Sequence, residues 1–153
     1  MAFMREIQVS SQTSIASPGA TVVIVDDDAS FVNALARMVS ERRPDARVLT
    51  ALDGFAGGML VAAERPDLLL LDVHMNGMDG VEVCRRIRAN VELASVQIVI
   101  LSGHLTPESE SELRRLGVLN CFHKPVPPQR IHALLHEHLP PRLMAGEETP
   151  SGS

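Results

Sequence analysis

The chain has no tryptophan, no tyrosine and only four phenylalanines among 153 residues. So few rings leave no platform on which single-stranded bases could stack, and they require a core built from aliphatic side chains. Basic runs are missing as well. No stretch of Lys or Arg exceeds two residues and the net charge is −5, so binding to nucleic acid is not expected. No apolar stretch approaches the about 20 residues of a membrane span, and the amino terminus lacks the apolar segment of a signal peptide. Neither membrane insertion nor export is expected, and the cytoplasm is the expected location. Cysteine is limited to Cys84, in a helical pattern, and Cys121, in a strand-like run. The two read as small buried hydrophobes, not as a disulfide or a metal pair.

A hydrophobic content of 45% supports one domain with a real core, and the length is too short for two. Residues 1–20 mix Ser, Thr and Gln and end in Ser17-Pro18-Gly19, which predicts a flexible leader. Residues 140–153 begin with Pro140-Pro141 and read as a flexible tail, too short and polar for an output domain. The folded domain is expected over residues 21–139.

Within it, two periods alternate. Thr21 to Val25 is β-branched and apolar, a first buried strand. Phe31, Val32, Leu35, Met38 and Val39 then recur at helical spacing until Pro44. Ala46 to Ala51 is a second strand, and Asp53 caps a helix whose expected inner face is Phe55, Met59, Leu60 and Ala63, weakened by Gly57-Gly58. Leu68 to Leu71 is short for a helix and suits a strand buried on both faces. Asp79 opens a helix with Val81, Val83, Cys84 and Ile87 on its apolar side and Arg85, Arg86 and Arg88 on a solvated one. Val96 to Leu101 is a fourth strand. Thr106-Pro107 starts a thinly apolar helix, Leu119 to His123 is a fifth strand, and the last helix runs from about Pro128 to His138. Strands alternating with helices predict an α/β fold with a parallel sheet covered on both faces.

A parallel sheet gathers the carboxyl ends of its strands at one edge, where ligands bind. There this sequence delivers Asp26 and Asp27 after strand one, Asp72 after strand three, Ser102 after strand four and Lys124 after strand five. Asp72 alone reads either as a loop cap or as a phosphoryl acceptor. Three neighbouring carboxylates repel one another unless a cation intervenes. All-oxygen ligation suits Mg²⁺, with Mn²⁺ as the substitute. Asp27 and Asp72 are the expected direct ligands, Asp26 acts through metal-bound water, and the main-chain carbonyl of His74 adds a further oxygen. Attack by Asp72 on phosphorus would give an acyl phosphate, whose charge would draw Ser102 and Lys124 into hydrogen bonds.

The order and spacing of Val22-Val23-Ile24-Val25-Asp26-Asp27-Asp28, Asp72-Val73-His74-Met75 with Gly77-Met78-Asp79-Gly80, Ile100-Leu101-Ser102-Gly103 and Lys124-Pro125 resemble a response regulator receiver domain of two-component signalling. The resemblance covers about Thr21 to Leu139. It implies a doubly wound, flavodoxin-like sheet of order 2-1-3-4-5. It further implies Asp72 as the phosphorylated residue, Asp26 and Asp27 as the acid pair, Ser102 as the switch hydroxyl and Lys124 as the family's lysine. The implied phosphodonor is a sensor histidine kinase or a histidine phosphotransfer protein. The implied output is a protein contact through the fourth helix, fifth strand and fifth helix, with phosphorylation-dependent homodimerisation left open.

Two positions depart from the family pattern. Cys121 stands where an aromatic residue usually swings inward, and Asn76 stands where the loop commonly carries proline. His74 and His104, two residues beyond Asp72 and Ser102, read either as modulators of phosphoryl lifetime or as inconsequential loop residues. His132 and His136 read as a solvent-facing stripe before a metal site. Two rival functions remain. One is a phosphorylation-independent interaction module. The other is an aspartyl-phosphate hydrolase, disfavoured because its general acid two residues after the nucleophile would have to be His74.

Overall fold

The computed structural model describes residues 19–141. The expected leader and tail fall almost wholly on residues 1–18 and 142–153, outside the described residues. In chain order the elements are β1 (Thr21–Val25), α1 (Ala29–Arg42), β2 (Arg47–Ala51), α2 (Gly54–Glu64), β3 (Leu68–Leu71) and α3 (Gly80–Arg88). After a 3-10 turn at Val91–Leu93 come β4 (Gln97–Ser102), α4 (Pro107–Arg115), β5 (Asn120–His123) and α5 (Pro128–His138). The five strands form one parallel sheet of order β2-β1-β3-β4-β5, as the resemblance implies.

The side-chain period of two sorts the strands between two cores. Val23, Val25, Leu69, Leu71, Ile98 and Ile100 point to the side covered by α2, α3 and α4. Val22, Ile24, Leu68, Leu70, Val99 and Leu101 point to the side covered by α1 and α5. That is why β3 tolerates four consecutive leucines, each at most 1% exposed. At about 1.5–3 kcal/mol per buried leucine, this short strand is anchored firmly enough to hold an acidic residue at its end. The expected caps are in place: Asp53 accepts from the Ala56 N–H, Asp79 from those of Val81 and Glu82, and Thr106 from that of Ser109.

Three expectations need correction. The inner face of α2 is Gly54, Gly57, Leu60 and Val61, while Phe55 is 67% and Met59 51% exposed and Ala63 is exposed too. A Cβ on Gly57 would sit 2.7 Å from a Val25 methyl. This glycine therefore lets α2 lie close on β1, and the large side chains turn outward. Second, Arg85 and Arg86 do line a solvated face, paired with Glu82 and Glu112, but Arg88 turns inward. Its guanidinium donates to the carbonyls of Leu116 at 2.8 Å and Val96 at 2.9 Å, tying α3 to the ends of neighbouring segments. Third, Cys84 is buried, which pushes its thiol up to about 12, but Cys121 is only half-buried because it lies on the edge strand β5.

Candidate functional site

The two central strands, β1 and β3, deliver the acids. The Asp72 N–H donates to the Val25 carbonyl at 3.0 Å and the Asp26 N–H to the Ala51 carbonyl at 3.2 Å. Main-chain pairing thus continues one residue past the strands and fixes both carboxylates. Asp26 is 2% and Asp72 6% exposed, whereas Asp27 is exposed. One carboxylate oxygen from each of Asp26, Asp27 and Asp72 lies within 4.8 Å of the others.

Local turns aim these groups. Asp26 Oδ1 accepts the Asp28 N–H at 2.9 Å, and Asp28 in turn caps α1 by accepting from Phe31. Asp72 Oδ1 accepts the His74 N–H at 3.0 Å, so Asp72 does cap its loop while its second oxygen faces Lys124. Close approach at Gly80 holds that loop. A Cβ there would lie 2.5 Å from the Val73 Cα and 2.6 Å from the Asp72 carbonyl oxygen.

Lys124 completes the cluster from β5. Its Nζ donates to Asp26 Oδ2 at 2.6 Å, stands 3.7 Å from Asp72 Oδ2 and lies 4.1 Å from the centre of the Phe31 ring. The Lys124 N–H also donates to the Ser102 carbonyl at 3.0 Å, joining the ends of β4 and β5. Burial raises the Asp26 pKa above 3.8, against the opposing hydrogen bond from Lys124. One ammonium among three acids leaves a net negative charge, and the donor set is all oxygen. These residues fit a hard divalent cation such as Mg²⁺.

Ser102 is fully buried, and among the described residues the hydrogen bonds of its hydroxyl go to its own loop. The hydroxyl donates to the His104 carbonyl and accepts the His104 N–H, both at 3.2 Å. The site thus brings together Asp26, Asp27, Asp72 and Lys124 and leaves Ser102 turned onto His104. The rings of His74 and His104, both exposed, meet at the mouth with centres 4.9 Å apart. Cys121 faces the α2–α4 core and Phe122 the opposite one, where Arg130 stacks on it. The aromatic residue of β5 therefore lies on the other side of the sheet from the position the family pattern uses. His132 is half-buried and His136 exposed on α5.

Sequence reasoning missed two contributors. Phe31 presents its ring to Lys124, and its position in an apolar helical stripe gave no sign of that. Asn76 donates its N–H to Asp27 Oδ2 at 3.2 Å. A proline at this position has no N–H to give, so the departure from the family pattern supplies a bond.

Comparison with known proteins agrees with this geometry. The family model for the response regulator receiver domain matches residues 22–136. A protein-glutamate methylesterase/protein-glutamine glutaminase of Cereibacter sphaeroides is 32% identical over 116 residues, 74% of this chain and 30% of that protein. The chain therefore spans under a third of that relative's length. Sporulation initiation phosphotransferase F of Bacillus subtilis is 28% identical over 118 residues, covering 77% of this chain and 93% of that protein. Among solved structures, the signal receiver domain of a DNA binding response regulator from Colwellia psychrerythraea aligns with a TM-score of 0.72 at 29% identity, covering 77% of this chain and 96% of that one. Chemotaxis protein CheY4 of Vibrio cholerae gives a TM-score of 0.72 at 25% identity, covering 80% and 100%. By fold, by acid cluster and by this match over most of its length, the chain belongs to the response regulator receiver domain family of two-component signal transduction.

Proposed function

We propose that the chain is a phosphorylation-switched receiver in which Asp72 accepts a phosphoryl group from a histidine kinase or a histidine phosphotransfer protein. The observation that carries the reading is the buried Asp72 carboxylate, held beside two further acids and 3.7 Å from the Lys124 ammonium. A carboxylate oxygen of Asp72 forms the new bond to phosphorus. The donor's phosphorus–nitrogen bond breaks, and its electron pair stays on the imidazole. Asp27, Asp72 and the His74 main-chain carbonyl would hold Mg²⁺, or Mn²⁺, directly and Asp26 through water. When bound, the ion supplies positive charge for the phosphoryl oxygens. Lys124 neutralises a further oxygen, and Ser102 leaves His104 to donate to the phosphoryl group.

Ser102 and Lys124 are joined through the main chain. A shift of one therefore reaches β5 and, through it, the face formed by α4, β5 and α5, which carries the output to a protein partner. Phosphorylation-dependent self-association through that face belongs to the same reading, as does a cytoplasmic location. Catalysis is confined to the receiver's own phosphoryl uptake and loss. The hydrolase reading is set aside because an exposed imidazole, His74, follows where a carboxylic general acid is required.

One observation favours a second reading, a constitutive interaction module: Cys121 occupies the position of the family's aromatic residue but has no ring to swing inward, and Phe122 lies on the opposite face of the sheet. The test is transfer from a phosphorylated histidine donor, followed by hydroxylamine, which cleaves acyl phosphates. Hydroxylamine-sensitive label on the wild type and none on Asp72→Asn is the expected result. No label from any donor, with partner binding intact, would establish the constitutive module instead.

A further inference from the structure

We infer that His74 and His104 form a second metal site, distinct in chemistry from the acid cluster, that takes a borderline cation of the Zn²⁺ class and clamps the loop after β3 to the loop after β4. The ring centres are 4.9 Å apart and the planes tilted by 45°. A Zn–N bond of about 2.0–2.1 Å places each imidazole centre about 3.2 Å from the metal, so two imidazoles at a near-tetrahedral angle have centres about 5 Å apart. The observed spacing meets that requirement without movement of either backbone. Both side chains are exposed, and among the described residues neither imidazole forms a hydrogen bond, so their ring nitrogens are available as ligands. Ring–ring attraction alone makes no use of those nitrogens.

Each histidine is held from below. The His74 N–H is fixed on Asp72 Oδ1 at 3.0 Å, and the main chain of His104 is fixed at both its N–H and its carbonyl by the Ser102 hydroxyl. The two sites sort cations by ligand type: three carboxylates suit Mg²⁺, and paired imidazoles suit Zn²⁺, Ni²⁺ or Cu²⁺. A cation across the pair holds the loop after β4 where it stands, and so keeps Ser102 on His104. It thereby slows phosphoryl uptake by Asp72. That last consequence rests on the proposed function, whereas the site itself does not.

The test is calorimetric titration of the full chain with Zn²⁺ in excess Mg²⁺, which keeps the carboxylates occupied. The expected result is one Zn²⁺ per chain, bound about tenfold or more weakly by His74→Ala and by His104→Ala and as in the wild type by the His132→Ala/His136→Ala double variant. No Zn²⁺ binding by the wild type would overturn the site. So would unchanged affinity in the His74 and His104 variants, or loss of binding in the α5 variant. In a second arm, the initial rate of phosphoryl uptake from acetyl phosphate is followed with and without Zn²⁺. A loss of rate that tracks zinc occupancy in the wild type and vanishes in His104→Ala is expected. Equal rates in the wild type would remove the coupling between clamp and switch. Absence of uptake even without zinc would count against Asp72 as acceptor, and the calorimetry would still decide the clamp.

Discussion

Replacing Asp27 by Asn should make the protein more stable without metal and less stable with it. The Asp27 oxygen lies within 4.8 Å of both Asp26 and Asp72 oxygens. Two unit charges at about 4 Å repel by about 1 kcal/mol even at the dielectric of water. Asp27 is exposed, so that solvent-screened figure applies, and removing its charge relieves about 2 kcal/mol over two pairs. The Lys124 ammonium, paired with Asp26 and Asp72, cancels roughly one of those two charges as Asp27 meets them and leaves a relief of about 1 kcal/mol. The Asn76 N–H at 3.2 Å would keep an amide oxygen as acceptor and lose only charge assistance, roughly 0.5 kcal/mol. The net is a gain of about 0.5 kcal/mol in chelator, which for a domain of this size is a rise of roughly 1–3 °C in Tm. Saturating Mg²⁺ reverses the order. A ligand at a hundred times its Kd stabilises the folded state by about 2.7 kcal/mol, and the variant forfeits most of that. Scanning calorimetry of both proteins in chelator and in Mg²⁺ reads all four values. A variant that melts at or below the wild type in chelator, or that gains as much from Mg²⁺, would refute the reasoning.

Asp26 predicts a pH dependence. Burial raises its carboxyl pKa above 3.8, so the folded protein binds this proton more tightly than the unfolded chain. Its contribution to stability is full below 3.8 and is lost as the pH rises through the raised value. Urea midpoints in chelator should therefore fall across that window in the wild type and stay flatter in Asp26→Asn. Gly80→Ala should lose about 2 kcal/mol or more, because its Cβ meets backbone atoms of Val73 and Asp72 that cannot yield cheaply. The variant should also accept phosphate more slowly, and urea denaturation with an uptake assay checks both. Arg88→Met keeps the stem but removes the donors to the carbonyls of Leu116 and Val96. A cost of about 2–4 kcal/mol is expected from chemical denaturation, at roughly 1.5–3 kcal/mol per charged hydrogen bond with partial rescue by water.

The fold was legible because period and punctuation agreed. Four leucines between Pro66 and a glycine-bearing loop admit little besides a doubly buried strand, and Asp53, Asp79 and Thr106 cap the helices they precede. The strand-end positions of Asp26, Asp27, Asp72, Ser102 and Lys124 followed from topology alone. Contacts set by how elements meet were not legible. The outward turn of Phe55 and Met59 depends on Gly57 seating against Val25, and the inward turn of Arg88 depends on where the chain after α4 ends. A one-dimensional pattern carries neither. The Asn76 bond to Asp27 was hidden for a different reason: the N–H belongs to the backbone, and the sequence shows only that proline is absent.

The most direct test of Asp72 as acceptor is the intact mass of the chain after incubation with Mg²⁺ and acetyl phosphate, measured for the wild type, for Asp72→Asn and for the wild type in chelator. The account predicts one phosphoryl adduct on the wild type, and none on the variant or in chelator. An adduct of equal yield on Asp72→Asn would contradict it.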